Sequence, residues 1–211
     1  MIVFCLKLLL AYLLGSLSGS LLLGRLRGVD IRTQGSGNAG GTNAFRTQGW
    51  RFALCVAVID VLKGVVAACL GFFWIIDSTL SNETQALTCG MAAVLGHVWP
   101  VFFGFRGGKG AATLVGAVGF IVPLLIAPLL GVWLLLLTAT GYVGLSTVCA
   151  AISLPLFGWW LRPGDQPLLA FGIASAVLLV FTHRANLARL HAGTEHRFQR
   201  VRVWARWLRT R

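Results

Sequence analysis

The chain has 211 residues, of which 57% are hydrophobic and only 11% are charged, and its formal net charge is +12. A soluble domain normally carries about a quarter of its residues as charges, so this composition excludes an ordinary soluble fold and predicts a lipid environment. The five cysteines all lie inside apolar runs without a C-x-x-C pair, which gives no support for a disulfide scaffold or a zinc site.

Five apolar stretches predict an all-α integral membrane protein, because a helix needs about 20 apolar residues to cross a bilayer. The N-terminal stretch has no basic region ahead of it, so we expect a retained span rather than a signal peptide. The fourth stretch is apolar for 51 residues, enough for three short crossings. In chain order the stretches are Val3–Gly24, Phe52–Ile76, Gln85–Phe105, Ala111–Leu161 and Leu168–Thr182.

Basic residues predict the orientation of these spans, since loops rich in Lys and Arg remain in the cytoplasm. Residues 25–51 carry five Arg against one Asp, the hinge 106–110 is basic, and the tail 183–211 carries eight Arg against one Glu. We therefore expect these three segments to be cytoplasmic, the N-terminus to lie outside and the C-terminus inside. That orientation requires an odd number of crossings within 111–161. About seven transmembrane helices are predicted, with five as the alternative, in one polytopic domain covering 1–211.

The arginine-rich tail has a pattern of its own. Phe198, Val201, Trp204 and Leu208 recur at helical spacing among arginines, which predicts an amphipathic helix lying on the anionic inner leaflet. A positive-inside anchor explains this pattern, and we favour it over a catalytic role.

The loop after the first span contains the first segment that predicts chemistry, Gly35-Ser36-Gly37-Asn38-Ala39-Gly40-Gly41-Thr42-Asn43-Ala44-Phe45-Arg46. Four glycines in seven positions let the backbone turn back and gather N–H groups around an anion. Ser36, Asn38, Thr42 and Asn43 add neutral donors, and Arg46 adds a planar fork suited to phosphate. The string G-x-G-x-x-G also matches the dinucleotide fingerprint, but a transmembrane span precedes it here instead of a strand, so that match is accidental.

A second glycine-rich segment follows the third span, Gly96-His97-Val98-Trp99-Pro100 leading into Phe105-Arg106-Gly107-Gly108-Lys109-Gly110-Ala111-Ala112-Thr113. It resembles a Walker loop only superficially, because Phe103 stands six positions before Lys109 and Gly110 follows it, so ATP hydrolysis is excluded. What remains is a lysine at the membrane surface, at the start of a helix, flanked by backbone N–H groups that we expect to be unhindered. Together the two segments predict sites for two phosphates, or for one phosphate and an oxyanion.

The third segment is Thr182-His183-Arg184-Ala185-Asn186-Leu187-Ala188-Arg189-Leu190, followed by Gly193-Thr194-Glu195. If it is helical, His183, Asn186 and Arg189 or Leu190 share one face at the membrane surface. The unperturbed histidine side chain has a pKa near neutrality, which makes His183 a candidate base. Asn186 is suited to orienting a carbonyl or hydroxyl, and Glu195 is suited to orienting an arginine or the histidine.

Asp60, Lys63 and His97 are ionisable residues within the second and third predicted spans. Asp60 and Lys63 are spaced i, i+3, so we expect them to neutralise each other, and they are candidates for lining a substrate cavity. For His97 two interpretations stay open, a hydrogen bond to a neighbouring helix and direct chemistry.

At these three segments the sequence resembles the bacterial acylphosphate:glycerol-3-phosphate acyltransferases. The motifs agree in order, in cytoplasmic placement and in spacing to the spans, over nearly the whole chain. Ala39 stands where this family commonly has Pro or Ile, and Ala111 where it commonly has Val. The residues that carry the resemblance are Ser36-Gly37-Asn38, Thr42-Asn43, Arg46, Gly96-His97, Pro100, Gly107-Gly108-Lys109-Gly110, Thr113, His183, Asn186, Arg189-Leu190 and Gly193-Thr194-Glu195.

The resemblance implies the first step of bacterial phospholipid synthesis at the inner membrane, with the active site facing the cytoplasm. A fatty acyl group would pass from acyl phosphate to the 1-hydroxyl of glycerol 3-phosphate, giving lysophosphatidic acid and phosphate. The resemblance also implies seven spans and neither a metal nor a cofactor. The implied partners are the two substrates, membrane lipid and, as a candidate, the enzyme that makes acyl phosphate, with no role for nucleic acid.

An acyl phosphate already has a good leaving group, so the protein mainly has to position two substrates and stabilise developing charge. We predict that Ser36, the amides of Gly35–Gly41 and Lys109 hold the acyl phosphate. Arg46, His183 and Asn186 would hold glycerol 3-phosphate, with either His183 or the phosphate of the substrate accepting the hydroxyl proton. The predicted catalytic residues are Ser36, Lys109, His183 and Asn186, and the predicted substrate-binding residues are Gly35, Gly37, Asn38, Gly40, Thr42, Asn43, Arg46, His97, Gly107, Gly108, Gly110, Thr113, Arg189 and Glu195.

Two other functions fit parts of the pattern. A transporter for an organic phosphate would also use glycine-broken helices and basic loops, but the chain is short and shows no internal repeat. A non-enzymatic lipid-binding subunit would not need so many neutral donors beside Arg46 and Lys109.

Overall fold

The computed structural model describes residues 2–74 and 80–201, and this part of the chain is helical. The chain divides into two compact units, Met1–Pro123 and Leu124–Arg211. The helices of the first unit are α1 (Ile2–Gly15), α2 (Gly19–Leu26), α3 (Gly41–Gln48), α4 (Trp50–Phe73), α5 (Asn82–Val98) and α6 (Ala111–Ile121). Those of the second are α7 (Ile126–Thr140), α8 (Val143–Leu161), α9 (Gln166–Thr182) and α10 (Arg184–His191).

Four helical segments are long and apolar enough to cross a membrane, and two bent helix pairs raise that number to six within the described residues. The pairs are α1 with α2, bent by 47°, and α9 with α10, bent by 56°. Helix α6 is apolar but has only 11 residues. The stretch 111–161 thus folds into three helices, as the sequence predicted, although they have 11, 15 and 19 residues instead of about 17 each.

The first predicted span, Val3–Gly24, is not one continuous helix but the bent pair α1 and α2. Helix α1 ends at Gly15 and α2 begins at Gly19, so two backbone groups in the break need partners from elsewhere. Helix α4 supplies both of them: Lys63 Nζ donates to the Leu17 carbonyl at 3.2 Å, and Asp60 Oδ1 accepts from the Gly19 amide at 3.2 Å. The bend is therefore stabilised by two side chains that lie more than forty residues further along the chain.

Close helix contacts in the first unit depend on glycine. A methyl group on Gly15 would overlap the Ala93 carbonyl, and one on Gly96 would overlap the Tyr12 carbonyl, so α1 and α5 touch backbone to backbone. Without a hydrophobic force between helices in lipid, such close packing of small residues is a main source of association. The Tyr12 hydroxyl also donates to the Trp99 carbonyl at 2.6 Å, just beyond α5.

In the second unit, α8 packs against both α7 and α9. Gly172 of α9 lies against the backbone of Pro155, the proline inside α8. The described part of the tail crosses the turn between α7 and α8, where the Phe198 amide donates to the Gly141 carbonyl at 2.9 Å. Beyond α10, the described part of the tail contains one 3-10 turn, Gln199–Val201. The rest of the predicted amphipathic helix, including Trp204 and Leu208, lies outside the described residues.

Candidate active site

The loop before α3 is shaped around the side chain of Asn43. Its Oδ1 accepts from the Ser36 amide at 2.9 Å, and its Nδ2 donates to the carbonyls of Ile31 at 3.1 Å and Gln34 at 3.0 Å. Asn43 is 1% exposed, and its amide organises the loop from the buried side. Ser36, by contrast, is exposed at the tip of the loop.

Glycine at position 35 is required by both conformation and space. Its φ is +56°, a left-handed conformation that L side chains adopt rarely, and a methyl group there would overlap Oδ1 of Asn43. Gly37 also has a positive φ of 72°, and its amide donates to the Gln34 carbonyl at 3.0 Å. The expected ring of open amides is therefore smaller than predicted, because those of Ser36 and Gly37 have acceptors within the loop.

Arg32 connects this loop to the one after α5, a role that the sequence did not reveal. Its guanidinium donates to the carbonyls of Phe103 at 2.8 Å and Arg106 at 3.1 Å. Asp30 holds the same guanidinium in a salt bridge of 2.8 Å, and that hydrogen-bonded arginine lowers the pKa of the Asp30 carboxyl below its ordinary value of 3.8. The two glycine-rich segments are thus joined through one side chain.

A small cavity with a volume of about 270 Å³ opens beside the Arg32 side chain. Arg25 lines it, with its guanidinium 4.5 Å from the centre of the Phe103 ring. Asp30 and Arg32 line it too, and their charges are already paired with each other.

The loop that carries Lys109 folds back on the end of α5. The amide of Gly107 donates to the Val98 carbonyl, and that of Gly108 donates to the His97 carbonyl, each at 3.1 Å. These bonds satisfy two of the carbonyls that a helix end leaves without partners. The prediction that the amides flanking Lys109 are unhindered is therefore wrong for Gly107 and Gly108.

Helix starts offer the remaining backbone donors. Helix α3 begins after Gly40, and α6 begins after Gly110, whose φ is +90°. The first N–H groups of a helix have no acceptor within it, and the helix dipole favours an anion there. Thr42 stands in the first turn of α3, and Lys109 comes just before the start of α6.

A buried polar cluster lies behind these loops. Asp60 and Lys63 form the predicted pair, with Oδ1 and Nζ 2.9 Å apart, and the cluster is completed by His97, whose Nδ1 is 3.4 Å from the same Oδ1. His97 is 3% exposed, and its Nδ1 makes no hydrogen bond among the described residues, so both interpretations of His97 stay predictions. Thr113 is fully buried too, and its hydroxyl has no hydrogen-bond partner among the described residues.

In the second unit, His183 stands at the corner between α9 and α10. Its backbone lies near φ −96° and ψ 4°, a sparsely populated region in which many active-site residues are found. Its Nδ1 is 2.8 Å from the Leu179 carbonyl, and a carbonyl can only accept, so Nδ1 carries the proton. In the neutral ring Nε2 is then the basic nitrogen, as a general base at this position requires.

Glu195 gathers two of the other predicted residues around it. Its Oε1 accepts from Asn186 Nδ2 and its Oε2 from Arg189 Nε, both at 2.7 Å. The side chain of Glu195 is 4% exposed, so it orients Asn186 and Arg189 from inside the protein, as predicted for an arginine. Asn186 also packs on Gly144, where a side chain would collide with it.

The described residues hold no group of three or more His, Cys, Asp or Glu side chains arranged for a metal ion. The polar side chains instead suit an anion: arginine, lysine, serine and amide groups at loop tips and helix starts, on an apolar helical body. These features define a polytopic membrane protein with basic, glycine-rich loops.

Comparison with protein families gives the particular family. The model of the glycerol-3-phosphate acyltransferase family matches residues 5–193. A glycerol-3-phosphate acyltransferase of Chlorobaculum parvum is 41% identical over 229 residues, which cover 93% of this chain and 97% of that protein. One of Chlorobaculum tepidum is 40% identical over 225 residues, with the same shares covered. The chain belongs to the glycerol-3-phosphate acyltransferase family.

Two solved structures support the same assignment at the level of the fold. Both are crystal structures of PlsY (YgiH), an integral membrane glycerol 3-phosphate acyltransferase, in a glycerol 3-phosphate form and a lysophosphatidic acid form. Their TM-scores to this chain are 0.84 and 0.83, at 37% identity, and each covers 95% of this chain and 98% of the solved one. The chain is thus an all-helical integral membrane protein.

Proposed function

We propose that this protein transfers a fatty acyl group from acyl phosphate to the 1-hydroxyl of glycerol 3-phosphate, giving lysophosphatidic acid and phosphate. Family membership supports the acceptor and the product, which are the molecules named for the two solved relatives. The observation that carries the proposal is the loop ordered by the Asn43 side chain, in which Ser36 is exposed. Arg32 connects this loop by hydrogen bonds to the loop that contains Lys109. A serine hydroxyl, a lysine and the start of α6 together suit one phosphate group.

In this proposal Ser36, Lys109 and the helix starts hold the acyl phosphate, and Arg46, His183 and Asn186 hold glycerol 3-phosphate. The hydroxyl oxygen attacks the acyl carbon, the bond from that carbon to the phosphate oxygen breaks, and phosphate leaves with the electron pair. The hydroxyl proton goes either to His183 Nε2 or to a phosphate oxygen of the substrate. Positioning and charge stabilisation then supply most of the catalysis, since the leaving group is already activated.

Other predicted residues act as supports within their own units. Asn43 and Glu195 act through the groups that they orient, and Thr113 lies buried in the first turns of α6. Arg189 stands beside Asn186 through their shared carboxylate partner. The candidates for direct or backbone contact with substrate are Gly35, Gly37, Asn38, Gly40, Thr42, Gly110 and Arg189.

We infer seven spans for this protein, counting α1 with α2, α9 with α10, and the short α6 as one span each. The excess of arginine in 25–51 and in 183–211 supports an outside N-terminus, a cytoplasmic C-terminus and an active site on the cytoplasmic face of the bacterial inner membrane. Reporter fusions at the N-terminus, in 162–166 and at the C-terminus test this topology. A C-terminal fusion that reports the periplasmic side would contradict it.

The test of the function is acyl transfer by the purified protein in a lipid mesophase. Labelled glycerol 3-phosphate is offered with palmitoyl phosphate, with palmitoyl-CoA as the control donor. We expect labelled lysophosphatidic acid from palmitoyl phosphate alone, and its loss in Lys109→Ala. Absence of product from both donors, together with uptake of glycerol 3-phosphate into proteoliposomes, would establish a transporter instead.

The identity of the base is tested with His183→Gln. A fall in turnover of about a hundredfold or more is expected if His183 accepts the proton, because general base catalysis typically contributes 10²–10⁴-fold. Near-normal turnover would assign the proton to the phosphate of the substrate and leave the protein without a strict base.

A further inference from the structure

We propose that His97 is a positioning residue. Its imidazole ring determines how closely the 106–110 loop approaches the end of α5, and Asp60 holds the ring in place. This inference rests on the proposed function, in which Lys109 of that loop holds a phosphate group. It assigns a role to a buried cluster that the acyl-transfer steps do not otherwise use.

The ring of His97 is in direct contact with the loop backbone. A methyl group on Gly108 would overlap Nε2 of His97, and one on Gly107 would overlap the His97 carbonyl. The Gly108 amide donates to that same carbonyl at 3.1 Å. The loop therefore rests on His97 through both its backbone and its side chain, and only glycine permits so close an approach.

The other edge of the ring faces Asp60. Its Nδ1 is 3.4 Å from Asp60 Oδ1, and Asp60 is itself held by Lys63 Nζ at 2.9 Å and by the Gly19 amide at 3.2 Å. None of these three side chains is more than 4% exposed. The buried His97 ring is thus enclosed between the Asp60 carboxylate and the backbone of Gly108. Its Nδ1 has no hydrogen-bond partner among the described residues, so Asp60 acts on the ring through charge and packing, and the ring limits how closely Gly108 approaches.

Helix α4, which carries Asp60, also fixes the far end of the loop. A side chain on Gly64 would overlap the Thr113 carbonyl, and one on Gly116 would overlap the Val61 carbonyl, so α4 and α6 touch backbone to backbone. Helix α6 begins immediately after the loop. One helix therefore sets both ends of the segment that carries Lys109, and a misplacement of about 1 Å at a reacting group can cost on the order of a hundredfold in rate.

The contact between His97 and Gly108 permits a size-compensation experiment. We compare Gly108→Ala, His97→Ala and the double variant in the acyl-transfer assay, with melting temperatures measured in parallel. Gly108→Ala is expected to lose at least about tenfold in kcat/KM, since its methyl group would displace the loop by a substantial part of 1 Å. The double variant is expected to be more active than Gly108→Ala alone, because removing the ring makes room for the methyl group.

Gly131→Ala is the matched control, because a methyl group there would meet no atom within 4 Å. Its activity is expected to equal that of the wild type. The inference is overturned if all proteins are folded and the fold loss in kcat/KM of the double variant equals the product of the fold losses of the two single variants.

A second comparison separates positioning from a loss of fold. In His97→Ala we expect KM for palmitoyl phosphate to rise by roughly tenfold with a smaller change in kcat, since the phosphate-holding lysine is displaced while the acceptor site is kept. His97→Gln, which can place an amide near the position of Nε2, should restore part of that loss. If Gly108→Ala does not fold, this KM change decides, and an unchanged KM in His97→Ala overturns the inference.

Activity of the wild type separates the positioning role from the proposed function. Wild-type protein that makes no lysophosphatidic acid from palmitoyl phosphate refutes the proposed function itself. Active wild type with unaffected His97 variants refutes only the positioning role.

Discussion

Substitution of Asn43 by Ala tests whether the glycine-rich loop is ordered by that side chain. The change removes three hydrogen bonds, one from the Ser36 amide and two to the carbonyls of Ile31 and Gln34. Each is worth about 1 kcal/mol net, so the ordered loop loses about 3 kcal/mol relative to open conformations. If the loop must be ordered in the transition state, turnover falls roughly a hundredfold, since every 1.36 kcal/mol is a factor of ten.

The assay is the initial rate of lysophosphatidic acid formation from palmitoyl phosphate at saturating glycerol 3-phosphate. Gln48→Ala is the control, because it removes a single side-chain hydrogen bond of 2.8 Å, to Gln34, from the same helix and the same loop. We expect this control to stay within about twofold of the wild type, as surface substitutions usually change stability by less than 0.5 kcal/mol.

Asn43 does not order the loop for catalysis if Asn43→Ala retains activity within about threefold of the wild type, since a loss of 3 kcal/mol would allow no such value. The same conclusion holds if the activity of the variant falls only in proportion to the fraction of unfolded protein. Melting temperature and size-exclusion profiles, measured on the same preparations, show which of these applies.

Contacts elsewhere in the protein give three further predictions. Gly96→Ala is expected to lower the melting temperature by several degrees or to abolish folding, because its methyl group would overlap a carbonyl of α1; a variant as stable as the wild type would contradict the contact. Glu195→Gln should raise KM for glycerol 3-phosphate by about tenfold while Arg189→Lys does so less, since the carboxylate of Glu195 orients two donors at once. The lowered pKa of Asp30 means that its pairing with Arg32 contributes fully above pH 3.8 and is lost as the pH falls through the folded-state pKa. The difference in melting temperature between wild type and Asp30→Asn should therefore shrink in acid, and a difference that grows would contradict the assignment.

Much of the fold follows from the sequence because lipid imposes one simple requirement. A spanning segment must satisfy its own backbone hydrogen bonds, so long apolar runs become helices. Helices α4 and α9 lie within three residues of their predicted bounds, whereas α5 ends at Val98, seven residues before the predicted end at Phe105. The break between α1 and α2 does not follow, because the Leu17 carbonyl and the Gly19 amide are satisfied by side chains of α4. Such a partner is distant in sequence and leaves no local signal.

The candidate site was predictable in its chemistry and less so in its geometry. Glycine, serine and basic residues indicated where phosphate would be held, but composition does not tell which amides already have acceptors within the protein. The amide of Gly108 donates to the His97 carbonyl at the end of α5, and the side chain of Asn43 donates to two carbonyls of its own loop. The role of Arg32 has no local sequence signal, because its carbonyl partners lie some seventy residues away.

The bend between α1 and α2 also bears on how the chain assembles in the membrane. Segments enter the bilayer in the order of synthesis, so the first segment is present before α4 exists to bond with it. In lipid each unsatisfied backbone group costs several kcal/mol. We therefore expect the nascent first segment to remain one straight helix until α4 is inserted. Asp60 and Lys63 would enter the membrane as an ion pair without net charge and would then form hydrogen bonds with the Gly19 amide and the Leu17 carbonyl. On this account the loop after α2 acquires its final place only late in biogenesis, once the third apolar segment has also docked.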